Sequence, residues 1–264
     1  MAKYKLGFFG AGKMAEGILS ALPDKSSVIM AEKVEARAKE LKKKYKVAVV
    51  ADLKEVAASA PIVFLAVKPQ DVDTVAAEVK ALLKPSQTLV SIVAGKTIAK
   101  LRKAFGGKVR IVRVMPNLAL RANAGMCAVC GAKGVPQSVV GKIAKILGSA
   151  GESVILAERD FDAVTALSGS GPAYFAYMEE AMMEGGIRLG LKPEVARLLA
   201  EQTMYGTAKY LRESGADLGE FIAGVCTKGG TTAAGMVELS KPEFKRVVAD
   251  TLAAAAKRSR ELAG

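Results

Sequence analysis

The stretch Ala166-Leu-Ser-Gly-Ser-Gly-Pro-Ala-Tyr174 separates two parts of the chain that differ in character. Before it, short runs rich in β-branched residues alternate with helical segments, whereas the segments after it all have helical periodicity. Gly169 and Gly171 permit backbone angles that other residues resist, and Pro172 suits the first position of a helix. We therefore predict a turn here, with Ser170 as the N-cap of the long helix that follows.

Upstream of this turn, the alternation of strands and helices predicts a parallel, doubly wound α/β sheet. The predicted strands are Tyr4 to Phe9, Ser27 to Ala31, Val47 to Val50, Pro61 to Val67, Thr88 to Val93, Val109 to Val114, Gly125 to Cys130 and Ser153 to Leu156. Sheets of this kind bind ligands beyond the carboxyl ends of their strands. The residues that end the strands are therefore the first candidates for a binding site.

From Phe161 onward the periodicity predicts helices alone. They cover Phe161 to Leu167, Ala173 to Leu189, Pro193 to Glu213, Asp217 to Val225, Thr231 to Leu239 and Pro242 to Leu262. The long helices carry apolar residues on more than one face, more than a segment of this length can bury by itself. This favours helix packing between the subunits of a homodimer. Burial against the first part of the chain is the alternative.

The segment Gly10-Ala-Gly-Lys-Met-Ala15 lies between the first predicted strand and a helix. Gly10 permits the tight turn, Gly12 lets a pyrophosphate approach the backbone, and Ala15 keeps helix and sheet close together. The N-terminus of the helix offers free N–H groups and a positive dipole to phosphates. In this context the motif predicts a dinucleotide site.

Glu32 follows the second strand, twenty residues after Gly12, where an acidic side chain bonds the adenosine ribose hydroxyls. Lys33 and Arg37 come next, and either cation suits a 2′-phosphate instead. The signals conflict, so the choice between NADH and NADPH stays open.

A second candidate site is Val225-Cys-Thr-Lys-Gly-Gly-Thr-Thr-Ala-Ala-Gly235, between two of the shorter helices. The N–H groups of Gly230, Thr231 and Thr232 and the two hydroxyls converge at a helix start, which suits a small carboxylate. A capped helix after a tight turn is the alternative.

The composition excludes several kinds of chemistry. The 264 residues include no histidine, which removes Ser-His-Asp and Cys-His mechanisms and histidine metal sites. Cys127 and Cys130 have the spacing of metal ligands, but they lie in a predicted strand, where positions three apart face opposite sides. We therefore expect no metal site, and the odd cysteine count argues against a disulfide framework.

The net charge of +13 could attract nucleic acid, anionic lipid or a phosphorylated small molecule. Aromatic residues are only 5% of the chain and do not interleave with the basic ones, so we expect no nucleic-acid partner. No apolar window is long enough to cross a membrane, and the start of the chain enters a strand instead of a signal peptide. We expect a cytoplasmic protein without a membrane partner.

The motifs together resemble the pyrroline-5-carboxylate reductase family, and the match runs nearly from end to end. The segments that carry it are Gly10-Ala-Gly-Lys-Met-Ala15, Ala66-Val-Lys-Pro-Gln70, Val114-Met-Pro-Asn117, Val164-Thr-Ala-Leu-Ser-Gly-Ser-Gly-Pro-Ala-Tyr174 and Gly229-Gly-Thr-Thr232. The first is common to many dehydrogenases, whereas the last two, at this separation, are far more distinctive.

The resemblance implies an α/β plus all-α fold, with a dinucleotide-binding Rossmann domain over residues 1–158 and a helical substrate-binding and dimerisation domain over residues 159–264. It implies reduction of 1-pyrroline-5-carboxylate to L-proline, the last step of proline biosynthesis. The implied cofactor is NADPH, with NADH as the second choice. The implied assembly is an interlocked homodimer that associates further into rings, up to a decamer of dimers.

The resemblance also assigns roles to individual residues. The pyrophosphate is held by Gly10, Gly12, Lys13 and Met14. The adenosine side is bordered by Ala66, Val67, Lys68 and Pro69, and the nicotinamide by Met115, Pro116 and Asn117. Glu32 and Lys33 are cofactor candidates from their position after the second strand. Gly230, Thr231 and Thr232 bind substrate together with Asn117. The role implied for Thr232 is hydrogen bonding to the imine.

Two positions depart from the family pattern. Thr227-Lys228 replaces the usual Ser-Pro before the substrate loop, which adds a cation near the carboxylate, and Ala119 replaces a proline. Three alternatives stay open: a related imine reductase, a β-hydroxyacid-dehydrogenase-like enzyme, and a non-enzymatic NADPH-binding sensor. The second is disfavoured because Gly171 to Glu184 lacks the lysine that those enzymes use as acid/base.

Overall fold

Eight strands form one sheet in the computed structural model, which describes residues 3–263. The strands are β1 (Leu6–Phe9), β2 (Val28–Ala31), β3 (Ala48–Val50), β4 (Ile62–Leu65), β5 (Thr88–Ser91), β6 (Arg110–Pro116), β7 (Gly125–Gly131) and β8 (Gly151–Ile155). Their spatial order is β3-β2-β1-β4-β5-β6-β7-β8. The chain returns past β1 to continue on its other side, so β1 and β4 flank the switch point where such sheets bind ligands. The doubly wound sheet is confirmed.

The pairing of β6 with β7 is antiparallel, whereas the other neighbouring strands pair in parallel. The connection from Pro116 to Gly125 contains only a 3-10 turn, Leu118–Ala122. A parallel crossover needs about a dozen residues or more, so this short connection reverses the chain. The prediction of a uniformly parallel sheet did not include this reversal.

Two hydrophobic cores lie on opposite faces of the sheet, because successive side chains of a strand alternate in direction. Phe8 belongs to one core and Phe9 to the other. Cys127 and Cys130 are divided in the same way, as predicted. Burial raises the pKa of the Cys127 thiol to about 12.

Seven helices accompany the sheet in the described part of the chain. They are α1 (Lys13–Ala21), α2 (Glu35–Tyr45), α3 (Leu53–Ser59), α4 (Val72–Val79), α5 (Ile98–Phe105), α6 (Gln137–Gly148) and α7 (Phe161–Val164). By contacts within the chain, residues 3–170 and 255–263 form one unit, and Gly171–Ala254 form a second. The expected domain boundary between residues 158 and 159 stays a prediction.

The segment after α7 is a continuous helical path and not a capped turn. Thr165–Gly169 form a π-helical turn, and the N–H of Ser170 donates to the Thr165 carbonyl over 2.9 Å. Ser170 has φ −86° and ψ −20°, which are helical angles, whereas an N-cap residue is extended. The prediction of Ser170 as an N-cap is therefore wrong. Neither Gly169 nor Gly171 has a positive φ.

The second unit consists of helices. They are α8 (Gly171–Arg188), α9 (Pro193–Ser214), α10 (Leu218–Val225), α11 (Thr231–Leu239) and α12 (Pro242–Ala263), the last turns of which belong to the first unit. Within Gly171–Ala254 the buried residues are Gly171, Ala196 and Ala200. Large apolar side chains such as Tyr177 and Leu189 are exposed in the single chain. No helix of residues 3–263 has the length and apolar character needed to span a bilayer.

Candidate functional site

A groove of about 350 Å³ opens at the carboxyl ends of β1 and β2, next to the switch point. Four residues predicted to bind the cofactor line it together: Gly10, Glu32, Lys33 and Val67. Strand ends from different parts of the sequence thus meet at one edge of the sheet, as the predicted topology requires.

Gly10 is needed for the turn that leaves β1. Its φ is +93°, a left-handed conformation that favours glycine. A Cβ at this position would lie 2.8 Å from the Ala66 carbonyl oxygen. The Ala66 N–H donates to the Phe9 carbonyl over 2.9 Å, which holds the ends of β1 and β4 together.

The start of α1 leaves room for an anion. Gly12 is the extended N-cap residue of α1, and a Cβ built on it would meet none of the described residues within 4 Å, its two chain neighbours aside. The next N–H groups, those of Lys13 and Met14, have no acceptor within the helix. Ala15 is fully buried, which brings the helix against the sheet. Open space in front of a helix N-terminus fits the pyrophosphate of a dinucleotide.

Arg37, one of the cations considered for a 2′-phosphate, is occupied elsewhere. Its guanidinium donates to the Glu16 carboxylate over 2.5 Å and lies 3.4 Å from the Ala11 carbonyl oxygen. Burial acts to raise the pKa of Glu16, but hydrogen bonds from Arg37, Lys44 and Tyr45 outweigh it and lower that pKa to about 2. Arg37 therefore joins α2 to α1, and it does not line the groove.

Glu32 and Lys33 do line the groove, and each has a defined partner. The Glu32 carboxylate accepts a hydrogen bond of 2.9 Å from the Val34 N–H. The Lys33 ammonium lies 3.8 Å from the Glu78 carboxylate on α4.

One wall of the groove is not predicted by any of the sequence motifs. This wall consists of Asp71, just before α4, and of Thr74, Val75 and Glu78 on α4. Their spacing of three, four and seven positions places them on one helix face, and this spacing was the signal that could have identified them.

The residues predicted to border the nicotinamide end strand β6. Because β6 runs parallel to β1 and β4, its end lies at the same edge of the sheet. The Asn117 side-chain oxygen accepts from the Met126 N–H over 3.1 Å, and its amide nitrogen lies 3.4 Å from the Ser168 hydroxyl. Met115 packs against Gly169. The Met-Pro-Asn segment and the turn at residues 168–169 are therefore in direct contact.

Lys68 and Pro69 follow β4 at that edge. Lys68 is the exposed N-cap of a 3-10 turn, Pro69–Asp71, that leads into α4. Both thus lie beside the groove without lining it.

The predicted substrate loop belongs to the second unit. Gly229 has φ +74°, and the Gly230 N–H donates to the Thr227 carbonyl over 2.9 Å. Helix α11 begins at Thr231, so the Thr231 and Thr232 N–H groups lie at a helix N-terminus, as predicted. Thr232 lines an open depression of about 580 Å³ with apolar neighbours from α11 and Phe244. The binding of substrate by this loop stays a prediction.

Comparisons with known proteins cover both parts of the chain. Residues 158–262 match the family model "Pyrroline-5-carboxylate reductase dimerisation", which supports formation of a homodimer or larger homo-oligomer, and residues 5–95 match "NADP oxidoreductase coenzyme F420-dependent". Pyrroline-5-carboxylate reductase of Synechocystis sp. is 37% identical to this chain over 263 residues, with 98% of each chain covered.

Two solved structures are similar over nearly the whole length. A pyrroline-5-carboxylate reductase from Coxiella burnetii has a TM-score of 0.94 and 29% identity, with 99% of each chain covered. A pyrroline carboxylate reductase from Plasmodium falciparum with NADP bound has a TM-score of 0.85 and 30% identity, with full coverage of both chains. These agreements confirm the predicted combination of a Rossmann sheet and a helical dimerisation domain. The chain belongs to the pyrroline-5-carboxylate reductase family.

Proposed function

We propose that this chain reduces 1-pyrroline-5-carboxylate to L-proline by hydride transfer from NAD(P)H, as the last step of proline biosynthesis. The observation that carries the proposal is the open space in front of Gly12 at the N-terminus of α1, in a chain that matches such a reductase over 98% of its length. Space and free N–H groups at this point fit the pyrophosphate of the cofactor.

In this proposal the first unit holds the cofactor. Gly10, Gly12, Lys13 and Met14 surround the pyrophosphate, and the groove beside Glu32 receives the adenosine ribose. Ala66, Val67, Lys68 and Pro69 lie on the adenosine side, and Met115, Pro116 and Asn117 lie on the nicotinamide side.

Bound NAD(P)H supplies the hydride. A cyclic imine can arrive from water already protonated on nitrogen, so the chain needs no dedicated acid, which fits a sequence without histidine. The remaining tasks are positioning the substrate and stabilising its charges. We assign the carboxylate to the N–H groups of Thr231 and Thr232, with Gly230 as the turn residue. The Thr232 hydroxyl orients the imine nitrogen.

The proposed enzyme works as a cytoplasmic homodimer, and its dimers associate further into rings, up to a decamer of dimers. The exposed apolar side chains of α8 and α9 support the dimer, because surface of this size needs a partner. Light scattering on the purified chain measures the size of the assembly.

The test is the decrease in absorbance of reduced cofactor when 1-pyrroline-5-carboxylate is added to the purified chain. We expect rapid, substrate-dependent consumption of NADH or NADPH. A six-membered cyclic imine carboxylate is the comparison substrate, and faster turnover of that ring would favour a different imine reductase. Cofactor binding without turnover of either ring would overturn the proposal in favour of a sensor.

A further inference from the structure

We propose that Glu32 and Glu78 make this chain select NADH over NADPH. The inference rests on the proposed use of a nicotinamide dinucleotide and concerns the part of the groove that meets the adenosine ribose.

The groove is rich in negative charge. Three carboxylates line it, those of Glu32, Asp71 and Glu78, and among the described residues that line it Lys33 is the single cation. NADPH differs from NADH by a 2′-phosphate that carries nearly two negative charges near pH 7, as phosphate monoesters do. Like charges at close range disfavour binding, so this surface opposes the 2′-phosphate.

Glu32 is placed to bond a free ribose. It directly follows β2, and the hydrogen bond from the Val34 N–H fixes one oxygen of its carboxylate. A carboxylate at the end of the second strand accepts hydrogen bonds from the ribose 2′-hydroxyl, which NADPH lacks.

The two cations that follow β2, Lys33 and Arg37, are each paired with a carboxylate. Lys33 faces the Glu78 carboxylate at 3.8 Å, and Arg37 is bound to Glu16 and the Ala11 carbonyl. A 2′-phosphate would have to draw Lys33 away from Glu78. This competition makes Glu78 a specificity-determining residue on α4, beyond the sequence motif that contains Glu32.

The test is isothermal titration calorimetry of the purified oligomer with NAD⁺ and NADP⁺, which measures binding without turnover. We expect NAD⁺ to bind at least ~10-fold more tightly than NADP⁺, the effect of one hydrogen bond to a charged group. Higher salt should reduce the ratio of the two affinities, because it screens the repulsion between the carboxylates of the groove and the 2′-phosphate.

Variants separate the contributions. Glu32→Gln should weaken NAD⁺ binding ~10-fold, since the neutral amide gives a weaker bond to the ribose. Glu78→Gln should tighten NADP⁺ binding severalfold, because it removes a charge and frees Lys33. The matched control is Asp73→Asn, which removes the same charge from α4 at an exposed residue outside the groove and should leave both affinities unchanged.

Equal or tighter binding of NADP⁺ by the unmodified chain would overturn the inference. An unchanged NADP⁺ affinity in Glu78→Gln would also overturn it, because Glu78 would then neither repel the phosphate nor compete with it for Lys33. Failure of the proposed function would give a different result. Calorimetry would still show tighter binding of NAD⁺ than of NADP⁺, but the chain would not consume pyrroline-5-carboxylate.

Discussion

The methyl group of Met115 lies so close to Gly169 that a Cβ built on this glycine would be 2.5 Å from Met115 Cε. Gly169 has no positive φ, so its missing side chain matters for space and not for backbone angle. Met115 belongs to the segment that we assign to the nicotinamide. The glycine-rich turn therefore shapes the cofactor side of the site through direct packing.

Gly169→Ala should shift Met115 and lower kcat/KM by ~10- to 100-fold, the range for a misplacement of about 1 Å near a reacting group. Steady-state kinetics with varied cofactor would measure this loss. The control is Gly171→Ala, because a Cβ there would come within 4 Å of no atom of residues 3–263 outside its own helical turn. Comparable losses in both variants, at unchanged oligomer size, would contradict the packing explanation.

Thr232→Ala should lower kcat/KM by ~10- to 1000-fold. The low end corresponds to the loss of one polar contact, and the high end to the loss of a preorganised hydrogen-bond donor. Thr232→Ser keeps the hydroxyl and should retain most of the activity. Kinetics of the two variants with pyrroline-5-carboxylate make this comparison. If the alanine variant had normal kinetics, Thr232 would have no role in the reaction.

Local patterns predicted the parts of this structure that depend on near neighbours in sequence. The strands follow from the alternation of β-branched runs with helical segments. The turn at Gly10 and the helix start at Thr231 follow from the local preferences of glycine and threonine. No short motif predicts the wall that contains Glu78, because it forms only when α4 and the end of β2 come together around the same groove. The N-cap prediction for Ser170 is wrong because the π-helical turn before it continues the helical path through Ser170, whose N–H donates to the Thr165 carbonyl.

Glu16 predicts how stability depends on pH. Its folded pKa of about 2 lies below the ordinary value of 4.5. The group therefore stabilises the fold above about pH 4.5, and this contribution is lost as the pH falls towards 2. Glu16→Gln should cost on the order of 1–2 kcal/mol at pH 7, allowing for solvent screening, and progressively less in acid.

Thermal unfolding at fixed protein concentration from pH 7 to pH 3 would measure this difference. Glu40→Gln is the control, because Glu40 also pairs with Arg37 but its side chain is 54% exposed. An exposed ion pair contributes about 0–1 kcal/mol, so this variant should change little. If Glu16→Gln lost the same stability at every pH, the lowered pKa of Glu16 would not contribute to the stability of the fold.

Arg113 and Glu158 form an ion pair with unequal burial, which predicts unequal costs of removing each partner. The Arg113 side chain is 7% exposed, its guanidinium donates to the Glu158 carboxylate over 2.9 Å, and it lies over the Phe161 ring. The same carboxylate oxygen accepts from the Ile98 N–H over 2.7 Å at the start of α5. The pair thus ties β6 to two helical segments.

Glu158→Ala leaves a buried guanidinium without its counterion and should cost about 3 kcal/mol, the lower end for breaking a buried pair. Arg113→Met keeps most of the buried volume, and the Glu158 carboxylate can turn to solvent. The Arg113→Met variant should therefore lose about 1 kcal/mol or less of unfolding free energy. The double variant should then be more stable than Glu158→Ala alone, because it removes the unpaired charge. Urea unfolding of the three variants at one protein concentration measures the coupling between the two sites. If the two single variants lost the same unfolding free energy, burial of the arginine would not explain the stability of the pair.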